Sequence, residues 1–501
     1  MEIINNLLYG FSVSLTPVNL LFCFIGAFLG TMVGVLPGLG GLATIALLLP
    51  LTFKMSPVSS IIMLAGIYYG AMYGGSITSI MVNVPGESSS VITCLDGYQM
   101  ARNGRAGAAL GISAFGSFIA GTFGVLGIIL LAPLMVKWAV KFDAPDYAAL
   151  FIVGLALVAY LAKGSKMKAL TMALVGILLS TIGLDPVAGS PRFTFGSMTL
   201  LGGIDIAPVA MGLFGIAEVL VTMERKLEQW KIFKTSLKGI FPSRQDWRIS
   251  LGPIGRGTVL GFFLGILPGV GAIVPTFLSY AVEKRLSKTP ERFGRGAIEG
   301  VAGPEAANNA AAAGVFIPLL SLGIPPNAIM AILMGALMVH GVRPGPLLMQ
   351  EHPEVFWGVI SSMYIGNVML LILNIPLIPL WVKVLKVPYY LLYPLIFLFC
   401  IIGIYSVNSS YMDVVVMGIF GVMGYLMRKF EYEPAPMVLA FILGGRLEEA
   451  VRQSLIFSQG DLRIFIQRPV AASFLALGLL LVLSSLVPFF LRKKECTERV
   501  P

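Results

Sequence analysis

The segment GTMVGVLPGLG, Gly30 to Gly40, returns in the second half of the 501-residue chain as GFFLGILPGVG, Gly261 to Gly271, and both copies lie inside apolar sequence. The shared pattern G-x3-G-x-L-P-G-x-G stops a helix twice over, because proline lacks an N–H and glycine carries little conformational restraint. In apolar surroundings such a break exposes backbone groups that need protein or an aqueous cavity around them. Two breaks at matching places predict two related halves around a wet interior.

Composition sets the solvent. Apolar residues make up 57% of the chain and charged residues 12%, against about a quarter charged in a soluble domain. This predicts an all-α polytopic membrane protein in contact with lipid. The formal charge of +10 sits in short loops rather than in one patch, so it reports orientation and no nucleic-acid partner is expected. The four cysteines, Cys23, Cys94, Cys400 and Cys496, share no metal or redox spacing. The first residues lack a basic n-region and a cleavage site, so no cleaved signal peptide is expected. No G-x4-G-K-[ST] loop is present to drive transport by ATP.

Charge then orders the loops. The basic stretch from Glu224 to Ser250 is expected in the cytoplasm, and it divides the chain into a first membrane repeat (1–223), a linker (224–250), a second repeat (251–456) and a closing unit (457–501) with a final helix and a basic cytoplasmic tail. Ala106–Val136, Tyr147–Ala162, Leu170–Leu184 and Asp205–Met223 are expected to span in the first half. Trp357–Val382, Tyr389–Tyr405, Val414–Met427, Pro436–Ile456 and Ala471–Leu491 are expected to span in the second. Asp143, Asp146 and Asp185 then fall outside. The same scheme puts Arg446, Arg452, Arg463 and Arg468 outside, against the charge rule.

Thr258–Leu267, read as roughly 15 Å of helix, is too short to cross, so the second copy is expected to re-enter from the cytoplasm with Pro268, Gly269 and Gly271 at its tip. The first copy, tipped by Pro37, Gly38 and Gly40, is expected to enter from the opposite face, which makes the repeats inverted, although its arm Leu20–Leu36 is long enough to be nearly a full span. Broken helices in inverted halves point to secondary transport by alternating access. A channel or receptor-like binding module is the alternative, and a hydrolase would need a nucleophile and base that the sequence does not pair.

Each tip is followed by polar sequence. GGSITSIMVNVPGESSS, Gly74 to Ser90, breaks at Pro85-Gly86 and offers Asn83, Gly86, Ser88 and Ser89 to a bound anion or cation. In the second half GPEAANNAAAAG places Asn308 and Asn309 in an alanine run, and SLGIPPN adds Asn327. An amide in apolar surroundings is costly unless paired or wet. Glu305 is expected either to pair with these amides or to meet the coupling ion.

At LPGLG (Leu36–Gly40), YGGSITSI (Tyr73–Ile80), NVPGE with LDGYQMARNGRAG (to Gly107), PEAANNA (Pro304–Ala310) and HGVRPGP (His340–Pro346) the chain resembles the large permease subunit of the tripartite tricarboxylate transporter family, over essentially its whole length. That resemblance implies uptake of a carboxylate across the bacterial inner membrane, coupled to sodium or protons with no other cofactor. It also implies a periplasmic solute-binding protein and a small four-span membrane subunit as partners, elevator motion by analogy, and a homo-oligomeric state left open. The chain departs from the family's frequent GIPG, because Gly323-Ile324-Pro325 is followed by Pro326 and Asn327, a change that bears on site geometry and substrate choice.

Overall fold

The structure is a computed structural model that describes residues 2–36, 40–161, 165–185, 188–224, 239–384 and 389–497. The first half runs through α1 (Glu2–Ser14), α2 (Pro17–Val35), α3 (Gly41–Thr52), α4 (Pro57–Val82), α5 (Val91–Arg102), α6 (Ala106–Ala139), α7 (Ala144–Leu161) and α8 (Lys166–Ser180). It closes with α9 (Ile206–Ala210) and α10 (Ala217–Glu224), joined by a π-helical turn at Met211–Ile216. The second half holds α11 (Arg244–Ile266), α12 (Ile273–Leu286), α13 (Glu299–Gly314), α14 (Phe316–Leu322), α15 (Ala328–Val339), α16 (Leu348–Glu351) and α17 (Pro353–Asn374). Then come α18 (Ile378–Val384), α19 (Tyr389–Asn408), α20 (Tyr411–Lys429), α21 (Pro434–Phe457), α22 (Ile464–Gln467) and α23 (Pro469–Thr497).

Among the described residues, seven helices are long and apolar enough to cross a membrane: α2, α4, α6, the composite Ile206–Glu224, α11, α17 and α20. The chain is thus a multi-pass membrane protein. Three sequence expectations change, and the first is that Trp357–Val382 is interrupted, α17 ending at Asn374 and α18 starting at Ile378. Leu170–Leu184 is not one helix: α8 ends at Ser180, and Gly183–Leu184 pairs antiparallel with Pro191–Arg192 as a small β-hairpin. The arm before the second tip is not ten residues but the 23 of α11, because Ser243 caps it through a reciprocal pair with Asp246 and the helix runs through Arg244, Arg248 and Arg256. Charge had been read as its boundary, but α11 continues through Arg256, whose exposed side chain pairs with the buried Glu283 of α12 at 2.8 Å.

Two helix pairs make the frame, and each is a glycine seam. Gly26, Gly30 and Gly34 of α2 lie on the carbonyl groups of Met63, Ile67 and Ala71 in α4, and Gly257, Gly261 and Gly265 of α11 lie on those of Gly303, Ala307 and Ala311 in α13. A methyl group at Gly34 would sit 2.5 Å from the Ala71 oxygen and one at Gly265 2.6 Å from the Ala311 oxygen. Small residues let backbones approach this closely without a hydrophobic driving force from lipid. The four-residue step on both sides makes the two seams copies of one arrangement.

Ion pairs reconcile the arginine-rich outer segment with the charge rule. Arg452 meets Asp185 and Glu448 at 2.8 Å each, Arg192 meets Glu448 at 2.7 Å, and Arg468 meets Asp143 at 2.6 Å and Asp146 at 3.0 Å. The acidic loops expected outside therefore compensate Arg452 and Arg468, two of the four arginines of that segment. Most of the basic linker lies outside the described residues, its last part, Arg244–Ser250, forms the start of α11, and Gly239 and Ile240 between them lie on Gly107 and Gly111 at the start of α6. Asp143 follows the other end of α6, so linker and acidic loops are a helix length apart.

Candidate functional site

The two breaks have the same local plan. Asn83 ends α4 in the left-handed conformation at φ 61°, and Gly323 ends α14 at φ 69°. Each is followed by one apolar residue and a proline, then by Gly86-Glu87 in the first half and Pro326-Asn327 in the second. The last residue of each opens the next helical turn. Asn327 caps α15 by accepting the Met330 N–H at 2.9 Å, and Glu87 precedes the 3₁₀ turn Ser88–Ser90. Glu87 and Asn327 are thus counterparts.

Each tip touches its own break. The Glu87 carboxylate accepts the backbone N–H of Gly41, the first residue of α3 beyond the first tip, where the open helix end favours negative charge. Pro37 and Gly38 lie outside the described residues, while Gly40 adopts φ 28° beside the same carboxylate. At the second tip Gly269, at φ 82°, donates its N–H to the Pro326 carbonyl at 2.8 Å. Gly271 has open space around its Cα, so nothing there demands close approach. The halves also come together here, with the side chain of Tyr68 in α4 beside that of Asn327.

The predicted polar residues separate into three groups. Among the described residues Asn308, 1% exposed, finds no hydrogen-bond partner for either its amide nitrogen or its oxygen, and its helix packs against the Ser88–Ser90 turn. A buried polar group left unpaired costs about 1–3 kcal/mol, so this amide faces an interior where something else satisfies it. Asn309, by contrast, is spent on packing: it donates to Ser117 Oγ at 2.7 Å and to the Glu305 carbonyl at 3.1 Å. Glu305 is also occupied, accepting from Ser76 Oγ at 2.6 Å and from Thr93, and so ties α13 to α4 and α5.

The first break's remaining residues divide as well. Asn83 and Ser88 are exposed, whereas Ser89 is buried with its hydroxyl 3.6 Å from Met72 Sδ. Gly86 is needed for space, because a methyl group there would lie 2.5 Å from the Gly75 Cα. Sequence reasoning missed Glu87 and Tyr68 as site members. Aligning the two breaks residue by residue finds Glu87, since it falls opposite the capping asparagine. Tyr68 carries no local signal, and its role comes from the packing of one half on the other.

A multi-pass helical protein whose interior holds two tip-and-break pairs and an unpartnered amide is, in class, a membrane transport component. The chain belongs to the tripartite tricarboxylate transporter TctA family, whose profile matches residues 20–439. It is 51% identical over 495 residues to an uncharacterised 52.8 kDa protein of Agrobacterium vitis from the TAR-I ttuC' 3' region, a match covering 99% of this chain and 98% of that protein. An uncharacterised protein from the TAR-II ttuC' 3' region of the same organism is 51% identical over 235 residues, 47% of this chain and 97% of that protein. No solved structure matches the chain.

Proposed function

We propose that the chain is the permease of a three-part uptake system of the bacterial inner membrane, taking a tricarboxylate or related organic anion from a periplasmic binding protein and working beside a small membrane subunit. The observation that carries this reading is the unpartnered Asn308 amide in a helix packed on the first break. Inverted repeats and alternating access fit the twin tip-and-break plan, since opposed halves can expose one site to either face in turn. Asn308, Asn327 and the backbone of both breaks form the substrate site.

Glu87 takes the coupling ion in this scheme. A proton or sodium ion on its carboxylate competes with the Gly41 N–H, so ion occupancy loosens or fastens the first tip. In proteoliposomes supplied with binding protein and small subunit, radiolabelled citrate should accumulate under an imposed sodium or proton gradient. Glu87→Gln should cut the gradient-driven rate at least about tenfold, the scale of one charge-assisted hydrogen bond. Accumulation that ignores both gradients, or a Glu87→Gln variant as fast as the parent, defeats the assignment.

Orientation has its own test. Lys231→Cys in the linker should react with an impermeant thiol reagent only from the cytoplasmic side, and Asp143→Cys only from outside, in a cysteine-free background. Reaction of both from one face would reject the proposed topology.

A further inference from the structure

A cavity of about 1920 Å³ opens between the start of α7, the β-hairpin, the α15–α16 loop and the second half of α21. It is larger than the roughly 300–1,000 Å³ of a closed ligand pocket, and so has the size of a vestibule for hydrated solutes. Part of the charge on its walls is already spent, with the Asp205 carboxylate accepting the Ile206 N–H at the start of α9, while Glu351 and Glu449 are exposed. Asp143 is paired with Arg468, and Glu448 with Arg192 and Arg452.

Two cations in it are not spent. Among the described residues no carboxylate lies within ion-pair distance of Arg343, which is exposed, or Arg446, which is partly buried. The charge of Arg343 adds to that of Arg446, while Glu449 on the exposed rim acts on Arg446 only at a distance. Arg446 donates one N–H to the Pro344 carbonyl at 3.2 Å, and a guanidinium has five donors to satisfy. A methyl group on Gly323 would come within 2.8 Å of its Nη1, so this cation rests directly against the second helix break. A partly desolvated guanidinium without a counter-charge is costly, and an incoming anion removes that cost.

We infer that Arg343 and Arg446 form a carboxylate-binding site in the vestibule, which captures a di- or tricarboxylate and presents it to the break at Gly323. The planar arginine fork matches a carboxylate through two parallel hydrogen bonds, and two forks suit an anion with more than one carboxylate. This rests on the reading of the chain as a carboxylate permease.

The test is equilibrium binding of citrate, succinate and sulfate to the purified chain in lipid nanodiscs, with monodispersity and helix content as the check on folding. Citrate and succinate should bind the parent. Arg446→Gln should raise the half-saturating concentration at least about tenfold, as expected for loss of a charged hydrogen-bond partner, with Arg446→Lys between the two and Arg343→Gln weakened severalfold. Should Arg446→Gln not fold, the exposed Arg343→Gln carries the test. Equal affinity in the parent and both glutamine variants overturns the site, as does a parent that binds none of the three anions or binds sulfate alone. Uptake persisting with unchanged KM in Arg446→Gln also refutes the site and leaves the permease reading standing. Absence of uptake by the complete parent system refutes the permease reading, with the binding result standing apart from it.

Discussion

Alanine at Gly30 or Gly261 is expected to remove most of the folded protein from the membrane. In the middle of an exposed helix this exchange gains stability by roughly 0.5–1 kcal/mol, because glycine loses more backbone freedom on folding. Here the added methyl group would overlap the carbonyl oxygen of Ile67 or Ala307 more severely than at Gly265, where the gap is already 2.6 Å. The obstacle is helix backbone, which cannot swing aside as a side chain does, so the two helices must part along the seam. A loss beyond about 4 kcal/mol belongs to this kind of overpacking. Size-exclusion profiles of detergent extracts should show the monodisperse peak falling at least about tenfold for both variants. Gly418→Ala in α20, with nothing within 4 Å of the new methyl group, should match the parent. Parent-like peaks for Gly30→Ala and Gly261→Ala would mean that the seams are not held as described.

The second large effect separates neighbours. Asn308→Ala should raise the apparent melting temperature, or leave it unchanged, while reducing citrate uptake at least about tenfold, because it removes an amide that the resting protein leaves unsatisfied. Asn309→Ala should do the reverse. It deletes the 2.7 Å bond to Ser117 and should cost about 1 kcal/mol of stability, with a smaller loss of uptake. Both amides stand in the same alanine run, so no argument from composition distinguishes them. If Asn308→Ala is as destabilised as Asn309→Ala and transports normally, the site lies elsewhere.

The sequence was most legible where a rule of backbone chemistry acted alone. Proline with glycine in apolar surroundings announced where α2, α4, α11 and α14 end, and helices such as α6 and α20 followed from apolar length. It was least legible where a partner distant in sequence decides the outcome. Ten residues before Pro268 looked like a short arm because Arg256 was taken for an end, and only Glu283 explains how that charge rides inside α11. Two arginines of the 446–468 segment looked misplaced for the same reason, since Asp185 meets Arg452 and Asp143 and Asp146 meet Arg468 across the fold. Glu305 was open to pairing with the asparagines or meeting an ion, and its bonds to Ser76 and Thr93 on two other helices had no local signal. Arg446 entered the sequence argument only as an awkward positive charge.

The length of α6 fixes a depth scale for the molecule. Its 34 residues give roughly 51 Å of helix, against about 40–45 Å for a bilayer with its headgroups. Trp138, 61% exposed near the end of α6 with the Lys141 ammonium 5.0 Å from its ring centroid, has the form of a residue seated among headgroups. Asp143 follows within two turns and lines the vestibule. On the permease reading proposed above, the mouth of the vestibule lies near the lipid surface, where a water-soluble delivery protein could hand over its anion without inserting any part of itself.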